Sequence, residues 1–166
     1  MATLCITSEA IAQNAMSRNH LTAKMIMTEE RLSRQLSFLC DSICGGRGFA
    51  TAGGSEAEFR IQRKFERIGL TRMGESYGKK VYAGGEKVGH NIVAMLPGSR
   101  HSGKDRYVIV GAHYDHVGVL SGKMYPGADA NASGTVALIN LAEMMKAYAD
   151  CGNAHDQHLI FVAFDG

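Results

Sequence analysis

Apolar residues recur at helical spacing through Leu32, Leu36, Leu39 and Ile43, behind a Thr28 able to cap the first turn and a Glu29-Glu30 pair suited to a helix start. The spacing predicts a helix ended by Gly45 and Gly46. Ser55 with Glu58 forms a capping box ahead of Ile61, Phe65 and Ile68, which predicts a second helix stopping at Gly69. The glycine-rich stretch 45–54 between them superficially resembles a phosphate-binding loop. It lacks the Gly-Lys-Ser/Thr ending, and no strand feeds into it, so it reads as a flexible connector. Residues 69–89, rich in Gly, Lys and Tyr, read as short strands and turns.

From His90 onward the pattern changes. Residues 91–96 form an apolar strand closed by Pro97-Gly98, residues 107–112 a second, and 159–164 a third, with a long apolar helix over 134–148 between the last two. Strand, helix, strand implies a right-handed crossover, and the expected fold is α/β: a mixed, largely parallel sheet flanked by helices. No internal repeat is visible.

The 166 residues, 45% hydrophobic and 20% charged, suffice for one core and predict one domain. A formal charge of +2, from 18 basic and 16 acidic residues spread along the chain, gives no footprint for nucleic acid or an anionic membrane. No run reaches the roughly 18 apolar residues of a spanning helix. Residues 1–12 are mildly apolar, and Ala10-Ile11-Ala12 has the small-x-small pattern of an export cleavage site, without a preceding Lys or Arg. Two readings stand: a signal-peptide remnant, or a disordered, untargeted N-terminus. Both leave the fold to residues 13–166. Cys5 lies in that segment, and the odd set Cys40, Cys44 and Cys151 predicts free thiols. Cys40 and Cys44 share one predicted helix face, and packing as core thiols is favoured over zinc ligation.

Candidate chemistry concentrates at the end of the second strand. His113 and Asp115 are two apart, so an extended chain projects them to one side, where open α/β sheets place their ligand sites. A metal-binding imidazole with a carboxylate behind it and a pair of polar strand-end residues are equally consistent with the pair alone. The sequence His113-Tyr114-Asp115-His116 is followed by Tyr125-Pro126-Gly127-Ala128-Asp129-Ala130-Asn131-Ala132-Ser133-Gly134. With these motifs the chain resembles the zinc aminopeptidases of metallopeptidase family twenty-eight. That group also includes glutamate carboxypeptidase, glutaminyl cyclases and the non-catalytic transferrin-receptor ectodomain. The resemblance runs over about 36–166 and takes in Gly46-Arg47-Gly48, the capped second helix, Gly89-His90-Asn91-Ile92-Val93-Ala94 and Leu96-Pro97-Gly98.

The resemblance implies that His113 matches a terminal zinc ligand and Asp115 the carboxylate behind the site. It also implies that the loop 127–134 supplies the carboxylate bridging two zinc ions. The bridging position is Ala130 in this chain. Asp129, one residue earlier, is a weaker candidate ligand, with a turn or capping role as its plainer reading; Asn131 and Ser133 suit loop hydrogen bonds or capping. In the family the strand matching 159–164 runs through Asp-Gly into a Glu-Glu pair that supplies general base and ligand, whereas this sequence ends at Asp165-Gly166. The chain is thus expected to be the N-terminal portion of the catalytic domain, incomplete at its C-terminus. The implied function is zinc-dependent removal of N-terminal residues from peptides, absent from this truncated chain, with weak or no zinc binding. The alternative is a non-catalytic binding or structural module of the same fold. A periplasmic or secreted location is implied, with a peptide as substrate. An apolar edge and face on strand 159–164 would pair with a second copy or with a missing C-terminal segment. His155 and His158 read as loop surface residues; His20, His90 and His101 have no evident partner.

Overall fold

The computed structural model describes residues 27–99, 105–153 and 155–166; Cys5, His20, His101 and segment 1–12 lie outside them. Helix α1, Glu29–Leu39, starts where the sequence predicts, with Thr28 Oγ1 accepting from Arg31 N at 3.3 Å. It ends at Leu39 rather than at the glycines, and a 3-10 segment, Ser42–Arg47, follows with Gly45 and Gly46 at φ 50 and 71°. Cys40 is therefore the helix C-cap and Cys44 lies on the 3-10 turn, so the two do not share a helix face. Cys44 is fully buried in the core and Ile43 is exposed.

Helix α2, Ala52–Ile68, begins a turn before the predicted capping box. Thr51, not Ser55, is its N-cap, accepting from Gly54 N at 3.1 Å. The sequence pattern misleads here because Gly53 and Gly54 count as helix breakers. Their missing side chains are what let the helix approach the 3-10 segment, since a Cβ on Gly53 would lie 2.3 Å from the Cys44 carbonyl oxygen, and one on Gly54 2.3 Å from that of Gly48. Stretch 45–54 is thus packed structure rather than a flexible connector.

The remaining elements are β1 (Thr71–Arg72), β2 (Gly78–Ala83), β3 (Lys87–Leu96), β4 (Tyr107–His113), β5 (Gly118–Leu120), β6 (Lys123–Tyr125), a π turn (Ala128–Ala132), α3 (Ser133–Asp150) and β7 (His158–Phe164). The main sheet runs β1-β3-β7-β4, with β2 also on β3, and β5 pairs β6 separately. The sheet is mixed as expected. Its parallel share is smaller than expected, confined to β4 on β7 across the α3 crossover, while β1, β2 and β7 all meet β3 antiparallel.

Alternation along the strands sorts the two faces. Ile92, Ala94, Leu96, Phe161 and Ala163 are buried against Ile61 and Phe65 of α2 and Val136 and Ile139 of α3. Each of the larger side chains, Ile, Leu, Val or Phe, contributes about 1.5–3 kcal/mol of burial. The opposite face holds Val93, Met95, Ile160 and Val162 and ends on exposed Ile109 and Phe164; none of these joins the helix-packed core. Among the described residues the edge lies at β4, not at 159–164 as the sequence suggests: β7 is held on both sides, whereas β4 pairs there only with β7 and exposes Tyr107, Val108 and Ile109. No helix among the described residues is long and apolar enough to cross a membrane.

Candidate functional site

At the C-terminal end of β4 the chain turns sharply under a buried arginine. Arg47 is completely inaccessible and donates to four backbone carbonyls: Nε to Tyr114 at 2.7 Å, Nη1 to Leu39 at 2.9 Å and Pro126 at 2.5 Å, and Nη2 to Gly127 at 2.8 Å. One guanidinium thereby ties the end of α1 to both loops that flank the strand end. Burial draws its pKa below the usual arginine value, opposed by Cys40, Cys44 and Asp115. Its flanking glycines make the fit possible. A Cβ on Gly46 would lie 2.5 Å from Gly118 O and 2.6 Å from Tyr125 O, at a φ of 71°. The Arg47 carbonyl in turn accepts from His116 N at 2.9 Å.

His113 is half exposed above this anchor. Its Nδ1 is 3.2 Å from the Asp115 carbonyl oxygen and 3.4 Å from Asp115 Oδ1. A carbonyl only accepts, so this contact puts the proton on Nδ1 and leaves the Nε2 lone pair turned outward, the tautomer a metal ligand needs. The His113 carbonyl accepts from Thr135 Oγ1 at 3.1 Å and Asn131 Nδ2 at 3.4 Å, which brings the loop carrying Asp129 and Ala130 to the same strand end. Asn131 Oδ1 also accepts from Gly134 N at 3.1 Å and so ties the loop to the start of α3, whose N-cap is Ala132. Asp129 and Ala130 are exposed, and the Ala130-Asn131 peptide is cis.

Behind the strand end lies a buried polar cluster that sequence reasoning missed. Tyr114 is fully buried, takes a backbone bond from its own N to Phe164 O at 2.8 Å, and donates its hydroxyl to His90 O at 3.1 Å. Burial, then Asp165 and Glu58, hold its phenol far above the usual range, so it stays protonated. Asp165, 5% exposed, accepts from His90 N on Oδ2 at 3.1 Å while its Oδ1 has no partner. His90, without an evident partner in the sequence, meets Glu58 Oε2 through Nδ1 at 2.9 Å. Gly89 is the one visible signal, since a Cβ there would fall 2.0 Å from Asp165 Oδ2.

Burial raises the Asp165 pKa, opposed by the bond from His90 N and by the nearby Tyr114 hydroxyl. A carboxyl raised in the folded state favours folding below its unfolded value, and loses that contribution as pH climbs through the folded value. Asp165→Asn should therefore stabilise the chain at pH 8 by about 1–2 kcal/mol, by replacing a charged, unpartnered oxygen. The gain should shrink as pH falls toward the unfolded carboxyl range. Urea unfolding of both proteins across pH checks this, and a gain that grows on acidification would contradict it.

His158, expected in a surface loop, is instead the buried first residue of β7. It is 8% exposed, stacks on Tyr107 at 5.1 Å, and accepts from Gly98 N on Nδ1 at 3.3 Å. Its neighbour His155 lies half-buried, with Nδ1 2.8 Å from Gln157 O. A catalytic zinc ordinarily takes three protein ligands. Among the described residues no three His, Cys, Asp or Glu side chains converge to hold a metal. These residues do not fit a two-zinc centre: His113 offers one nitrogen, and a methyl group occupies position 130.

The fold is shared with larger solved proteins. LapB from Legionella pneumophila superposes with a TM-score of 0.62 at 18% identity, over 90% of this chain and 37% of its own. The LapA aminopeptidase of the same organism gives 0.61 at 15%, over 100% and 40%, and the Tannerella forsythia glutaminyl cyclase 0.56 at 22%, over 87% and 45%. The chain thus spans less than half the length of each of these structures. Curated proteins gave no sequence match. Residues 91–166 match the sequence profile of Peptidase family M28, the segment that contains β4, its His113 end, the Asp129-Ala130 loop and β7. Over this segment, a little under half of its length, the chain is similar to peptidase family M28.

Proposed function

We propose that residues 13–166 form the N-terminal portion of a zinc-peptidase catalytic domain of exported type, whose lineage removes N-terminal residues from peptides, and that this chain does not itself turn over peptide. The observation that carries the second half is Ala130. Two metals at this strand end would need a shared carboxylate from the loop 127–134, and the methyl group there supplies no donor atom. In this reading His113 is the remaining terminal ligand and Asp115 fixes its tautomer. Asp129 is the nearest carboxylate in the loop and does not replace the bridge. The non-catalytic alternative, a binding or structural module of the same fold, is favoured by the same residue and by the exposed apolar sheet face.

Hydrolysis of leucyl p-nitroanilide by the purified chain, with added zinc and then a chelator, tests this. Turnover at the uncatalysed background is the expected result. A general base and metal-activated water together supply factors of at least about 10² each, so even a partly working site would stand well above that background. Zinc-dependent turnover abolished by the chelator would overturn the proposal.

A further inference from the structure

The helical layer carries a groove unconnected with the His113 strand end. A cavity of about 440 Å³ opens between α1 and α2, with Leu39, Ile61, Val136 and Ile139 among the residues of its lining. Those four are buried core side chains, so the groove bottom is apolar. Its walls are cationic: Arg31 and Arg34 stand on α1, and Arg60, Lys64 and Arg67 on α2. Five of the chain's 18 basic residues therefore meet at one groove, although the whole molecule is only +2.

The five differ in what already neutralises them. Arg31 pairs with Glu143, and Arg60 pairs with Glu56 while lying 3.6 Å over the Phe38 ring. Arg34 has only an exposed contact with Glu30 at 3.4 Å, a pair of little energetic weight. Lys64 and Arg67 have no acidic partner among the described residues. The under-compensated charges thus sit on both walls, Arg34 on one and Lys64 with Arg67 on the other. Positions 60, 64 and 67 follow one face of α2 over about 10 Å, at 1.5 Å per residue.

We propose that this groove binds an acidic amphipathic helix of a partner protein, its apolar stripe on Ile61, Val136 and Ile139 and its flanking carboxylates on Arg34, Lys64 and Arg67. An amphiphile with a single carboxylate head satisfies one end of the groove, whereas cations spaced along both walls match charge repeated along a ligand. A helix with anchors at i, i+3, i+4 and i+7 and acidic flanks has that layout.

The test uses two fluorescein-labelled peptides of about 14 residues, roughly four turns, with Leu at the anchor positions and either Glu or Lys at the flanks. Anisotropy titration with the full chain is expected to give at least about tenfold tighter binding of the Glu peptide, weakening with added salt. Charge reversal at Lys64→Glu and Arg67→Glu, both on the helix surface, should invert that preference. Ile109→Lys, on the far side of the sheet, should leave Glu-peptide binding unchanged. Equal binding of both peptides, an unaltered preference in the charge-reversed protein, or loss of binding in Ile109→Lys would each overturn the proposal. Displacement by equimolar dodecanoate would overturn it too, assigning the groove to a small anionic amphiphile.

Discussion

Replacing Arg47 with Ala is expected to cost about 3–5 kcal/mol, a large part of the 5–15 kcal/mol that holds a domain of this size together. The guanidinium is fully buried and satisfies carbonyls of Leu39, Tyr114, Pro126 and Gly127 at once. Its removal leaves four acceptors in a space that water must enter or the loops must abandon. Arg47→Lys should be damaging as well, because a single ammonium on a flexible stem cannot span four carbonyls held in a planar fork. Burying a cation among carbonyls is itself unfavourable, so the expected loss measures the cost of breaking the arrangement, not its net worth. Urea unfolding followed by circular dichroism reports the difference. A loss below about 1 kcal/mol for Arg47→Ala would mean that the loops at the strand end hold themselves without it.

The second large effect is expected at the uncovered face of the sheet. Among the described residues strand β4 presents an unpaired edge, and Tyr107, Ile109 and Phe164 are 53%, 64% and 43% exposed beside the half-buried Ile160 and Met95. A contiguous apolar face along a free strand edge drives pairing between copies. The isolated chain should therefore self-associate at micromolar concentration, and Ile109→Lys should shift it toward monomer, because a charge in mid-strand opposes both edge pairing and face burial. Sedimentation velocity over a concentration series distinguishes the outcomes. A wild-type chain that stays monomeric throughout, or a variant that assembles as well as the wild type, would contradict this account.

Much of the architecture was legible in the sequence because it rests on local signals. Thr28 and the acidic first turn give the start of α1, and apolar runs bounded by Pro97-Gly98 and by polar loops give β3, β4 and β7. What escaped depended on packing contacts rather than on local pattern. The start of α2 was displaced because Gly53 and Gly54 lower helix propensity locally, while their value lies in a close approach to Cys44 and Gly48 that no window of sequence displays. The free edge was placed on the wrong strand because apolar character does not distinguish β7, held from both sides, from β4, held from one. At the candidate site His113, Asp115 and the loop 127–134 were readable from spacing and resemblance. Arg47 and Asp165 fell within the resembling segments, but their roles were not readable, since an arginine between glycines and an aspartate after a strand look like surface residues until burial is known. His158 misled in the same way, as its burial comes from stacking on Tyr107 across the strand pair.

Zinc titration calorimetry of the purified chain decides whether the strand end, with Ala130 in the proposed bridging position, can hold a two-metal centre. One imidazole with a carboxylate behind it, and no third donor among the described residues, should give no saturable binding of two zinc ions in the micromolar range. Stoichiometric uptake of two zinc ions per chain at micromolar affinity would show that other residues complete the centre and that Ala130 does not disable it.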